Sequence, residues 1–156
     1  MEKGNQNPVL HTHSASCPRR YGNRGLCFLR ALRTVLVTGS RDLSDRSEVW
    51  DALDDEYATA CIEDRRLIVR HGDANGADNH ARQWCEAHRN NPDVVEERRP
   101  AKWDLFGVAA GRIRNAAMVA ELPKPDVCIA FPIGESPGTR HCMSVATKAD
   151  IPVIEC

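Results

Sequence analysis

The residues best suited to chemistry in this chain lie in glycine-bearing turns. The segment Phe131-Pro-Ile-Gly134-Glu135-Ser136-Pro-Gly138-Thr139-Arg140 directly follows the apolar run Asp126-Val-Cys-Ile-Ala. A buried strand that enters a Gly/Pro/Ser loop and then a helix beginning at Gly138-Thr139 is a phosphate-binding arrangement. The loop brings bare backbone N–H groups close to an anion, and the helix N-terminus adds roughly half a positive charge. The amides of Gly138–Arg140 and the Thr139 hydroxyl can cradle one phosphate. A second junction of this kind is Val35-Leu-Val-Thr-Gly39-Ser40-Arg41. There glycine permits a tight turn, serine offers a hydroxyl and arginine a planar cationic fork. Neither segment is a G-x-G-x-x-G or a Walker A loop, which speaks against a dinucleotide dehydrogenase and a P-loop ATPase.

Two further segments carry polar groups in suggestive places. His71-Gly72-Asp73-Ala-Asn-Gly76-Ala77-Asp78 surrounds polar residues with glycines, which suits close approach of the backbone to a ligand. A carboxylate at Asp78, in a first helical turn, can bond a ribose hydroxyl or simply favour the positive helix end. His71 reads equally as a catalytic or a structural histidine. Gly111-Arg112-Ile-Arg114-Asn115 places two cations and an amide at the start of a helix. Cations there oppose the macrodipole, and a bound anion would relieve that conflict. Solvated arginines, or pairing with Asp or Glu elsewhere, would relieve it too.

The elements that must position these residues follow from the apolar pattern. Residues 34–38 form a short apolar, β-branched strand that ends at Gly39. Ser44 or Asp45 can cap a helix with Val49, Trp50, Leu53 and Tyr57 on one face. Residues 67–70 are the second strand, and a helix over about 76–89 turns Ala77, Ala81, Trp84 and Cys85 inward. A weaker, more polar third strand spans 93–97, nearer an edge. Residues 98–111 read as a connecting loop containing Trp103 and Phe106, followed by a helix over 112–121 that Leu122-Pro-Lys-Pro terminates. The fourth strand is 127–131 and the fourth helix 138–148, with Met143 and Val145 as candidate core contacts. The last strand is 151–154. Strands alternating with helices at this spacing predict an α/β fold: a Rossmann-like, doubly wound parallel sheet of about five strands with helices on both faces. Such sheets bind ligands beyond the carboxyl ends of their strands, where strand order reverses.

Composition bounds the rest. The chain has 156 residues, 42% of them hydrophobic, enough for one domain with a real core. The formal net charge is −1, so the molecule has no general attraction for nucleic acid. Residues 1–33 carry six cations against Glu2, a net of +5, which leaves −6 on the remainder. This predicts a basic flexible leader over 1–32 on one acidic domain over 33–156, whose glycine turns suit a nucleotide-like ligand. Seven cysteines without a C-x-x-C pair or a secretory h-region argue against a disulfide scaffold. His11, His13, Cys17 and Cys27 could in principle ligate zinc, but their spacing matches no common module, so no metal or cofactor is expected. No apolar run reaches the roughly 20 residues a membrane span needs, and a cytoplasmic location is expected.

The motifs VLVTGSRD, HGDANGAD, GRIRNAAMV and FPIGESPGTRHC, in this order, together resemble the YpsA-related branch of the SLOG superfamily. That superfamily also holds the cytokinin-activating phosphoribohydrolases and the single-stranded-DNA-binding recombination mediators of the DprA kind. The resemblance covers about residues 33–156. It implies a Rossmann-like fold, a nucleotide or nucleotide-derived ligand and frequent dimerisation through helices. It also implies ligand-binding roles for Gly39, Ser40, Arg41, His71, Gly72, Asp78, Arg114, Asn115, Gly138 and Thr139, to which the loop reading adds Gly134 and Arg140. There is one departure. The phosphoribohydrolases carry a P-G-G-x-G-T-x-x-E loop whose glutamate serves glycosidic cleavage. Here the loop is longer and Cys142 stands where that glutamate would be. A cysteine cannot stabilise an oxocarbenium-like centre as a carboxylate does. Asp73 and Glu135 are the remaining catalytic candidates.

Three functions are thus expected in order. The first is a binding module that senses or sequesters a nucleotide-type metabolite, with Trp103 or Phe131 available to stack on a base. The second is an N-glycosidase acting on a nucleoside 5′-monophosphate. The third, single-stranded DNA binding, is disfavoured by the acidic core and the scarcity of stacking aromatics. A homodimer or higher homo-oligomer is the expected assembly.

Overall fold

Apolar runs too short for helices and buried on both sides become the centre of a parallel sheet. In the computed structural model, which describes residues 30–156, the first such run is β1 (Leu32–Gly39). It is followed by α1 (Ser47–Ile62), β2 (Arg66–His71), α2 (Ala77–Ala87) and β3 (Val94–Arg98). Then come α3 (Trp103–Phe106), a 3-10 turn (Gly107–Ala109), α4 (Ala110–Ala120), β4 (Val127–Phe131), α5 (Pro137–Lys148) and β5 (Val153–Glu155). The five strands pair in parallel in the order β3-β2-β1-β4-β5. This is the expected doubly wound α/β sheet.

Alternation along each strand divides the core in two. Val35 and Val37 of β1, with Val127, Ile129 and Phe131 of β4, pack against Leu53 and Tyr57 of α1 and Trp84 of α2. Leu36 and Cys128 point the other way, onto Met118 of α4 and Cys142 and Ala146 of α5. Phe131 is therefore a core residue, 1% exposed. That corrects its reading as a stacking aromatic: it shares a face with Val127 and Ile129, four and two residues before it.

Other expectations shift by a few residues. The stretch 98–111 is not a bare loop, because it holds α3, the 3-10 turn and the first residues of α4. Helix α1 starts without a side-chain cap, although the Asp45 carboxylate accepts the Ser47 N–H at 2.9 Å. The polar β3 is an edge strand, as its composition predicts, and β5 begins at Val153 rather than at 151.

One buried charge holds the second layer in place. Arg70 of β2 has no solvent exposure. Its Nε donates to Glu97 at 2.7 Å, and Nη1 donates to the carbonyls of Met118 and Glu121. It thereby satisfies acceptors that the end of α4 would otherwise leave open.

Candidate functional site

The winding of the sheet reverses between β1 and β4, and their carboxyl ends are fastened together there. Gly39 is paired with Phe131 across the two strands, and the Ser40 N–H donates to the Phe131 carbonyl at 2.8 Å. The glycines of the adjoining turns are required by packing. A Cβ at Gly39 would overlap the side chain of Ala77, and one at Gly76, where φ is +70°, would overlap the Ser40 carbonyl. The turn after β1 and the loop after β2 are thus pressed against each other.

Above this junction lies a cleft of about 500 Å³, within the usual range of small-molecule sites. Four segments distant in sequence line it: Thr38–Asp42, then Ala74 and Asp78, then Trp103, Val108, Gly111, Arg112, Arg114 and Asn115, and finally Ile133 and Ser136–Thr139. The candidates Gly39, Ser40, Arg41, Asp78, Arg114, Asn115, Gly138 and Thr139 all stand on this lining. His71, Gly72, Asp73, Gly134, Glu135 and Arg140 do not.

The helical wall is the start of α5. Ser136 precedes it with left-handed backbone, φ 35° and ψ 59°, and Pro137 occupies the first turn. Gly138 and Thr139 have no intrahelical acceptor for their N–H groups, as at any helix start. No acidic side chain stands in this first turn and no side chain caps it. The Ser136 hydroxyl bonds Thr139 Oγ1 at 2.9 Å. Arg140 turns back instead, donating to the carbonyls of Glu135 and Gly134, and so braces the loop from outside.

A chain of polar contacts ties the other walls to this helix. Asp78, 5% exposed, accepts the N–H groups of Gly72 and Ala74 at 3.2 and 3.3 Å. Burial pushes its carboxyl up, against the pull of Arg114 and those two amides. The Arg114 guanidinium lies 3.8 Å from Asp78, donates to the Gly72 carbonyl and donates from Nε to Asn115 Oδ1 at 2.9 Å. Asn115 in turn donates from Nδ2 to the Gly138 carbonyl at 3.0 Å. Helix α4 begins at Ala110, so Arg114 sits past its first turn and finds a carboxylate partner there. Arg41 and Arg112 are exposed on the lining, and the Arg41 guanidinium lies 5.7 Å from the Trp103 ring centre.

His71 is fully buried between two local partners. Its Nδ1 accepts the Asp73 N–H at 3.2 Å, so the proton of the neutral ring is on Nε2, which faces Glu96 at 3.0 Å. Cys142 is buried below the cleft in the α4/α5 core beside Cys128. The Cys128 thiol is pushed up by its hydrogen bond to Cys142 and by desolvation. The zinc candidates His11, His13, Cys17 and Cys27 lie outside the described residues.

Sequence reasoning did not single out Asp42, Val108, Ile133 or Ser136, all of them on the lining. Ser136 carried a legible signal, since Ser-Pro before a helix marks a cap position and first turn. The others carried none.

A family profile described as YAcAr, the YspA, cpYpsA-related SLOG family, matches residues 33–106. The Gene 61 protein of Mycobacterium phage D29 is 48% identical over 124 residues, covering 79% of this chain and 95% of that protein. The chain belongs to the YAcAr branch of the SLOG proteins, and this membership points to a nucleotide-related function. No solved structure matches it. No helix among the described residues is long and apolar enough to cross a membrane.

Proposed function

We propose that this protein binds a nucleotide or nucleotide-derived ligand, ADP-ribose-like or a nucleoside phosphate, in the cleft above β1 and β4. It acts as a sensing or sequestering module. The observation that carries this reading is the convergence of Ser40, Arg114 and Thr139, from three separate segments, on one cleft at the sheet's switch point. Open α/β sheets hold their ligands at that position. The free amides and dipole of α5 favour an anion, and Arg41 and Arg112 add positive charge at the rim.

Binding is favoured over glycosidic cleavage by the state of the carboxylates. Asp78 is engaged by two amides and Arg114. Asp73 and Glu135 are exposed and off the lining, and Cys142 is buried in the core. Cleavage through an oxocarbenium-like state needs a carboxylate beside the sugar.

Calorimetric titration with nucleoside mono- and diphosphates, ADP-ribose and cyclic dinucleotides tests this, with chromatography of the same mixtures for released base. Binding without base release is expected. Base release would establish the N-glycosidase alternative, and no heat with any of the panel would overturn the nucleotide reading.

A further inference from the structure

The anion-binding features above do not account for one wall of the cleft. Helix α3 has no buried residue, and every residue from 102 to 109 is exposed. Trp103 is 49% exposed, Val108 99%, and Ile133, from the loop after β4, 47%. Single exposed apolar side chains are ordinary. These three come from two segments, Trp103 and Val108 from the stretch before α4 and Ile133 from the loop after β4, and all line the cleft. The hydroxyls of Ser40, Ser136 and Thr139 line the same cleft. The cleft therefore presents exposed apolar side chains as well as anion-favouring polar groups.

We propose that Trp103, Val108 and Ile133 form a subsite for the planar ring of the ligand, with Trp103 as the stacking platform, so that base as well as phosphate is recognised. This rests on the nucleotide reading of the same cleft and goes further, because a phosphate site alone would accept sugar phosphates equally well. The Arg41 guanidinium, 5.7 Å from the indole centre, holds that ring by a cation–π contact and leaves about half of it open. A base is the ligand group that suits such a surface. It has an apolar π-face that any aromatic side chain can cover, and polar edges that reach water at an open cleft mouth.

Stacking of one base on an aromatic side chain changes affinity by roughly 10- to 100-fold. The test titrates the full chain with the four ribonucleoside 5′-monophosphates, ADP-ribose and ribose 5-phosphate. Affinity is followed by calorimetry and contact by tryptophan fluorescence. Trp84 is buried, and Trp50 lies under Arg46 with its ring N–H on the His80 carbonyl, so quenching by a base reports Trp103.

We expect at least one nucleotide to bind roughly 10- to 100-fold tighter than ribose 5-phosphate and to quench the fluorescence. Trp103→Phe keeps most of that affinity and loses the quenching, while Trp103→Ala brings the nucleotide down to the level of ribose 5-phosphate. Should Trp103→Ala fail to fold, the wild-type affinity ratio and the Trp103→Phe signal decide alone. Equal affinity for nucleotide and ribose 5-phosphate, or an unchanged Trp103→Ala, overturns the ring subsite and leaves the phosphate site standing. Absence of binding by every probe overturns the nucleotide reading and the subsite with it.

Discussion

Arg114 occupies the space that a side chain at residue 72 would need: its guanidinium donates to the Gly72 carbonyl, and a Cβ on Gly72 would overlap that guanidinium. The glycine of HGD and the second arginine of GRIR are therefore one structural unit. Gly72→Ala should destabilise the fold by about 1–3 kcal/mol, the usual cost of overpacking. Because the clash is with Arg114, the loss should shrink when Arg114→Ala is added. A double-mutant cycle by urea denaturation checks this. Additive losses would mean that the two residues do not share that space in solution.

Asn115 links the arginine to the start of α5, accepting from Arg114 and donating to the Gly138 carbonyl. Asn115→Leu leaves both groups without this partner, at about 1–3 kcal/mol for each that stays buried. The Gly138 end is open to water and belongs at the low end of that range. Asn115→Asp keeps the acceptor for Arg114 and should lose less. Urea midpoints of the two variants give the order directly, and Asn115→Leu melting like wild type would refute the bridge.

Gly138 separates stability from binding. A Cβ there meets nothing within 4 Å, and the residue lies in the first turn of α5. Replacing glycine in a helix gains roughly 0.5–1 kcal/mol, and an acid near a helix N-terminus adds about 0.3–1 kcal/mol. Gly138→Glu should thus melt at or above the wild-type temperature while losing nucleotide binding. On the proposed reading, the new carboxylate competes with the ligand's anion for the start of α5. Retained affinity in that variant would place the anion elsewhere.

Acid should destabilise the protein in two stages. Desolvation, with Arg112 and Lys148 nearby, holds the His141 ring below its ordinary 6.5. The folded state therefore resists a proton that the unfolded chain takes up, and stability falls as pH drops below 6.5. Glu121 is held below its usual 4.5 by Arg99. Glu96 is also held below 4.5: desolvation pushes its carboxyl up, and hydrogen bonds from Arg98 and His71 outweigh that push. Both contribute stability above about pH 4.5 that is lost as pH falls through their folded values. Asp78, raised by burial, works in the opposite sense and offsets part of the second stage. Denaturation curves across this range should show both stages, and His141→Gln should remove the first alone.

What the chain dictated locally could be read without coordinates. Continuous apolar runs such as 35–37 and 127–131 are buried on both faces, and glycines mark where strands must turn, so the parallel sheet and the turns at its carboxyl ends were legible. Membership of the SLOG branch was legible for the same reason, since its motifs sit in those turns. Only the tertiary structure decided which groups were already engaged. Asp78 and Arg114 are 36 positions apart yet neighbours through the β2–α2 loop and α4, and His71 is closed off by Glu96 on the next strand. It also decided which aromatic is left outside. Phe131 follows strand alternation into the core, while Trp103 sits on a four-residue helix too short to show periodicity and too exposed to be packed. Local pattern fixes where a strand or turn falls, whereas the partners of a charge or ring depend on neighbours that only strand order brings together.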